Sequence, residues 1–174
     1  MPEKRVKIKK LIKERKIEMV LLQETKRHSM SREMVQSVWL GSNFEFSSVD
    51  SMGNSGGLLC IWNLDMFSLE SCCSNKNFII LSGIFNSMFR CAIISIYALT
   101  DVGERGKMWE SLIRIKPNFV DCWCLGGDFN EIRSLGERIG SARRDRGMME
   151  FNKFVEDMVV FDPHMLGRKF TWCK

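Results

Sequence analysis

An acid and an amide stand two residues apart, Asp128 and Asn130, at the close of the apolar run Trp123-Cys124-Leu125-Gly126-Gly127. On an extended chain residues two apart share a face, so both side chains are expected to point the same way from a sheet edge. That pairing suits phosphoryl chemistry, in which a metal-bound phosphate needs a hard oxygen ligand and a group to orient attacking water. Upstream, Met19-Val20-Leu21-Leu22 runs into Gln23-Glu24-Thr25-Lys26, so a second strand also ends on a carboxylate. Two acid-tipped strand ends predict one metal site. Tyr97, the only tyrosine in the chain, ends a third apolar run, where its hydroxyl can donate to a phosphate oxygen as charge develops. Each residue also has a plainer reading: Glu24 as a solvated acid, Asp128 and Asn130 as turn caps, Tyr97 as a packing aromatic.

The elements that must position these residues follow from periodicity. A basic helix is predicted over about 4–16, a strand over 18–23, and a helix near 31–39 carrying Met34, Val35, Val38 and Trp39. From 43 to 97 the texture is β-rich, with successive antiparallel strands predicted at 44–49, 57–62, 67–73, 78–85 and 89–97. Gly56 and Gly57 are read as conformational, allowing a tight strand entry. A helix at 101–114 precedes a strand at 121–128. Met148, Phe151, Phe154, Val155 and Met158 lie at helical spacing, and Phe170-Thr171-Trp172 reads as a last short strand. Sheets with segregated helices argue for an α+β sandwich of two face-to-face sheets with helices outside. In that build Glu24, Tyr97 and Asp128 are expected to converge at one edge.

At 174 residues and 45% hydrophobic, the chain can bury a substantial core as one domain, residues 1–174. It shows no repeat or interdomain linker. Without a leader or about 18 uninterrupted apolar residues, neither export nor a membrane span is expected, and the reading is an intracellular protein. Seven cysteines, an odd number, suggest free thiols, most of them core fillers. Cys72-Cys73 and Cys122-x-Cys124 lack the spacing of a structural zinc site, and only two histidines could join them. The net charge is +5, and residues 1–16 hold eight Lys or Arg against two Glu. With Val6, Leu11, Ile12 and Ile17 near helical spacing, these lysines read chiefly as the solvated face of an amphipathic helix. Arg138, Arg143, Arg144 and Arg146, in a glycine-punctuated loop after the Asp128 strand, form the better candidate for DNA phosphates.

Taken together, Leu21-Leu22-Gln23-Glu24-Thr25-Lys26, Ser55-Gly56-Gly57-Leu58, Ser95-Ile96-Tyr97-Ala98, Gly126-Gly127-Asp128-Phe129-Asn130 and Leu166-Gly167-Arg168-Lys169-Phe170-Thr171-Trp172 resemble, in order and spacing, the endonuclease/exonuclease/phosphatase superfamily with the DNase I-like fold. In particular, they resemble the endonuclease domain of plant non-LTR (LINE-type) retrotransposons. The resemblance implies a four-layer sandwich and a Mg²⁺-dependent, or Mn²⁺-dependent, phosphodiester hydrolase of DNA endonuclease type. By that resemblance Glu24 holds the metal, Asp128 orients or deprotonates the attacking water, Asn130 holds the phosphate or that aspartate, and Tyr97 donates to the phosphate. Thr171 and Trp172 would flank the substrate, beside Arg143, Arg144 and Arg146. DNA would be the partner, a longer polyprotein with reverse transcriptase the context, and the nucleus the place of action. Family members also carry an initial Trp-Asn-like strand and a final Ser-Asp-His strand, and this sequence shows neither one ahead of the basic helix nor the other after Trp172. His28 and His164 do not match the histidine. The expectation is therefore a sandwich incomplete by its first and last core strands, with depressed turnover. Two rival readings are a catalytically inactive nucleic-acid-binding module, using the same arginines and the amino-terminal lysines, and a phosphatase of the same superfamily.

Overall fold

The computed structural model describes residues 2–53, 56–119, 122–137 and 145–163. Its elements in chain order are α1 (Pro2–Arg15), β1 (Met19–Gln23), α2 (Arg32–Gln36), β2 (Phe44–Val49), β3 (Leu58–Asn63), β4 (Phe67–Asn75), β5 (Phe78–Phe85), β6 (Phe89–Tyr97), α3 (Val102–Ile115), β7 (Trp123–Asp128) and α4 (Arg146–Asp157). Contacts divide the chain into two compact units, Met1–Tyr97 with Val120–Asp128, and Ala98–Phe119 with Phe129–Lys174.

The first unit is a sandwich of two sheets, one of three strands in the order β1-β3-β2 and one of four in the order β4-β5-β6-β7. The five antiparallel strands read from the sequence thus divide between two sheets. The chain switches sheets after β3, at a turn closed by the Met66 N–H on the Asn63 carbonyl. β3 is central and apolar on both faces because both are covered. Leu58, Cys60 and Trp62 face inward and pack with Phe67, Ile79, Leu81, Cys91 and Ile93 of the second sheet. Trp62 meets Phe67 edge to face, with ring centroids 6.0 Å apart. The alternate residues Leu59 and Ile61 face outward onto Ile12 of α1 and onto Val35, Val38 and Trp39 in and after α2. Each such buried side chain contributes about 1.5–3 kcal/mol. α2 begins at Ser31, whose hydroxyl accepts from the Met34 N–H, and its helical part is shorter than the predicted 31–39.

Two sequence expectations are corrected here. Of the expected apolar residues Ile12 and Ile17 do pack inward, but on α1 the partner of Ile12 is Ile8, one helical turn away, while Val6 and Leu11 stand 66% and 51% exposed. Residues four apart share a helix face, and a one-residue offset rotates a side chain by about 100°. Among the described cysteines only Cys60 and Cys91 are buried, whereas Cys72, Cys73, Cys122 and Cys124 are exposed. The exposed ones lie in or beside β4 and β7, the outer strands of the four-stranded sheet among the described residues. Polar β4 is further interrupted by a register shift between Leu69 and Ser71, a bulge that blunts the edge.

β7 runs parallel to β6, with partners from Ala92↔Trp123 to Tyr97↔Asp128. A parallel pair needs a long crossover, and the connecting segment contains α3. In the second unit α3 and α4 are capped by Asp101 and Asp145, whose carboxylates accept from the Glu104 and Met148 N–H groups. Trp109 stacks on Phe154 at 4.4 Å, with Phe129 and Phe151 alongside. All five residues read at helical spacing, Met148, Phe151, Phe154, Val155 and Met158, are buried. No helix among the described residues is long and apolar enough to cross a membrane. The predicted strand Phe170-Thr171-Trp172 lies outside the described residues.

Candidate active site

The first unit brings Glu24, Tyr97 and Asp128 to one end of the sandwich. Glu24 directly follows β1 and leaves the strand in the left-handed region at φ +54, which is uncommon for a residue with a side chain. The turn is held by Gly56 and Gly57, at φ +79 and +86, whose carbonyls accept the Lys26 and Thr25 N–H groups at 3.1 and 3.2 Å. A side chain at Gly57 would overlap the Thr25 hydroxyl, so this entry to β3 requires glycine. The Gln23 amide donates to the buried Ser95 hydroxyl at 3.1 Å, joining the end of β1 to β6 across the sandwich.

Asp128 ends β7 directly opposite Tyr97. The two glycines before it make that approach possible. Gly127 takes φ +139, where a Cβ would collide with the Ile96 carbonyl oxygen, and a Cβ on Gly126 would press Leu21 of β1 at 3.0 Å. The Gly-Gly step therefore lets two strand ends close on one another, a role that the alternation of apolar and polar residues does not signal.

Tyr97 Oη donates to Glu24 Oε1 at 2.8 Å. The other carboxylate oxygen lies 3.9 Å from Lys26 Nζ, and both side chains are about half exposed, 52% and 50%. Burial first, then the Glu24 hydrogen bond and the charges of Glu24 and Asp128, push the Tyr97 pKa up to about 12. The phenol is thus a neutral donor throughout the physiological range.

Asn130 differs from the expectation. β7 ends at Asp128, and Asn130 sits at φ +47, so the two side chains do not share a strand face. Its amide instead donates to the Ala98 carbonyl at 2.7 Å, both residues belonging to the second unit. Asn tolerates the left-handed region better than most residues, which accounts for its presence at this turn.

Sequence reasoning missed a buried ion pair nearby in the chain. Arg105 of α3 donates to Glu131 at 2.5 Å and to the Leu99 and Thr100 carbonyls at 2.8 and 3.0 Å. The two side chains are 4% and 3% exposed. Gly147, in the first turn of α4, leaves room for them, since a Cβ there would overlap Glu131. With the Asn130 bond, this pair ties the segment that follows Tyr97 to the segment that follows Asp128. The only available signal was that Glu131 continues the Asp128-Phe129-Asn130 run. Its partner, 26 residues away, has none.

Arg146 opens α4 and pairs with Glu150 at 2.6 Å, while Arg138, Arg143, Arg144, His164, Thr171 and Trp172 lie outside the described residues. Among the described residues no three or more His, Cys, Asp or Glu side chains are grouped to hold a metal. The donor set at Glu24 is one of hard oxygens, which fits a cation that binds through one or two carboxylates and keeps its waters.

No family model matches the chain, and no curated protein does. Solved structures do. The endonuclease domain of TRAS1, a telomere-specific non-LTR retrotransposon, is similar with a TM-score of 0.62 at 14% identity, over 88% of this chain and 64% of that one. ANGEL2, a 2′,3′-cyclic phosphatase, gives 0.56 at 16% identity over 74% of this chain and 44% of its own. TDP2 from C. elegans gives 0.55 at 14% identity over 75% and 43%. The chain thus spans less than half the length of the ANGEL2 and C. elegans TDP2 structures. The two-sheet sandwich, its helices and these structural likenesses together identify the fold of this chain as that of the DNase I-like nucleases and phosphodiesterases.

Proposed function

We propose that the chain is a Mg²⁺-dependent phosphodiester hydrolase of DNA endonuclease type, belonging to a non-LTR retrotransposon polyprotein that also carries reverse transcriptase and acts on nuclear DNA. The observation that carries this reading is the meeting of Glu24, Tyr97 and Asp128 at one strand-end cluster, with Tyr97 Oη bonded to Glu24. Glu24 would hold the cation, Mg²⁺ or Mn²⁺, which when bound supplies positive charge to polarise the scissile phosphate. Tyr97, a neutral phenol, would turn its single O–H from Glu24 Oε1 toward a phosphate oxygen as negative charge accumulates. Asp128 accepts the proton of the attacking water. Asn130 acts indirectly, through its bond to Ala98, the residue after Tyr97. DNA phosphates would be met by Arg143, Arg144 and Arg146, with Thr171 and Trp172 flanking the substrate. Arg146 would do so from a guanidinium whose Nε is bonded to Glu150.

The test is Mg²⁺-dependent nicking of supercoiled plasmid beside hydrolysis of a soluble phosphomonoester. Nicking lost by about 10²- to 10⁴-fold in Asp128→Ala supports the reading. Monoester hydrolysis without nicking would favour a phosphatase of the same superfamily. Salt-dependent DNA binding with no hydrolysis would favour a binding module using the α1 lysines.

A further inference from the structure

The antiparallel ladder between β5 and β6 ends at the pair Phe78↔Ile96, one residue short of Tyr97. Beyond it the chain of β5 has turned away toward Asn75, so no further strand residue can complete the ladder. Asn77 replaces it. The Tyr97 N–H donates to the Asn77 carbonyl at 2.8 Å, and the Asn77 side-chain amide donates back to the Tyr97 carbonyl at 3.2 Å. Asn77 is itself fixed, because Asn75 Oδ1 accepts from the Asn77 and Phe78 N–H groups at 2.8 and 3.0 Å. At 8% exposure it is one of few buried polar side chains among the described residues, in a position where burial is costly unless the amide is bonded.

We propose that Asn77 is a positioning residue for Tyr97, gripping its peptide on both the N–H and the carbonyl side and so aiming the phenol hydroxyl at Glu24. The claim rests on reading Tyr97 as a donor in the proposed reaction. With β7 pairing Tyr97 on the other side, the end of β6 is held from two directions at the point where ordinary strands fray. Asn77→Ala keeps the backbone carbonyl and removes only the returning amide bond. Asn77→Asp keeps the shape and sets an acceptor against the Tyr97 carbonyl, so its effect should be the larger.

The test combines a double-mutant cycle with a readout that needs no catalysis. In plasmid nicking, Asn77→Ala should lower kcat by about 10- to 100-fold with little change in KM. In a Tyr97→Phe background it should then have almost no further effect, because the two residues act as a unit. Full additivity would overturn the proposal. Tyr97 is the only tyrosine, so selective isotope labelling gives one set of ring resonances. These should shift or broaden in Asn77→Ala and in Asn77→Asp, and stay unchanged in Lys76→Ala, an exposed neighbour. Unmoved ring signals in both Asn77 variants would sink the clamp even if the wild type nicks DNA. A wild type that does not nick would instead sink the nuclease reading, and the ring signals would still decide the clamp.

Discussion

Two ion pairs, one in each compact unit, show opposite uses of charge. Arg105 and Glu131 are almost wholly buried and 2.5 Å apart, and two backbone carbonyls share the guanidinium. Glu24 and Lys26 are half exposed and 3.9 Å apart, and the carboxylate is shared with the Tyr97 hydroxyl instead. A buried pair holds segments in place because breaking it strands a charge in low dielectric, whereas an exposed pair contributes little stability and leaves its groups open to a ligand. The difference locates structure in the first pair and leaves the Glu24 carboxylate of the second accessible from solvent.

The comparison breaks most visibly at the buried pair. Glu131→Ala should cost about 3–5 kcal/mol in urea unfolding by leaving Arg105 uncompensated, and Arg105→Met with Glu131→Leu should recover most of that loss. A Glu131→Ala protein as stable as wild type would remove the structural role. Next in size is Gly127→Ala, which forces a Cβ against the Ile96 carbonyl at φ +139 and should cost about 1–3 kcal/mol while displacing Asp128. An unchanged melting curve would show that the strand ends do not need this close approach.

These stabilising features were unevenly legible in the sequence. The strands 44–49, 78–85 and 89–97 were readable to the residue, since β-branched and aromatic runs bounded by turns have no competing period. The face of α4 was equally clear, because its apolar residues repeat at helical spacing. The face of α1 was not: four apolar residues in a lysine-rich helix fit two registers, and only packing against β3 selects Ile8 and Ile12. Glu24, Tyr97 and Asp128 could be brought together from motif order, but Asn130 was misplaced because strand alternation fails once the chain enters the left-handed region. The pairing of Arg105 with Glu131 and of Asn77 with Tyr97 stayed hidden, since these partners are set by tertiary approach rather than by spacing.

A smaller effect sharpens the exposed side of the comparison. The folded pKa of Tyr97, about 12, lies above the ordinary value of 10. The native state therefore keeps its proton where an unfolded chain loses it, and the stabilisation is complete below pH 10 and lost as pH rises toward 12. In chelator, Glu24→Gln should lower the pH at which the phenolate absorbance appears. No movement would mean that Glu24 does not act on the phenol. Smallest of all, Lys26→Met should change stability by less than about 0.5 kcal/mol, and a larger loss would make the exposed pair structural as well.

The central claim, that this strand-end cluster hydrolyses phosphodiesters, is tested most directly by Mg²⁺-dependent plasmid nicking with Glu24→Gln, Tyr97→Phe and Asp128→Ala compared with Lys26→Met. The account predicts loss of about two or more orders of magnitude for Glu24→Gln and Asp128→Ala, a smaller loss for Tyr97→Phe, and near wild-type nicking for Lys26→Met. Equal nicking by wild type and Asp128→Ala would contradict it.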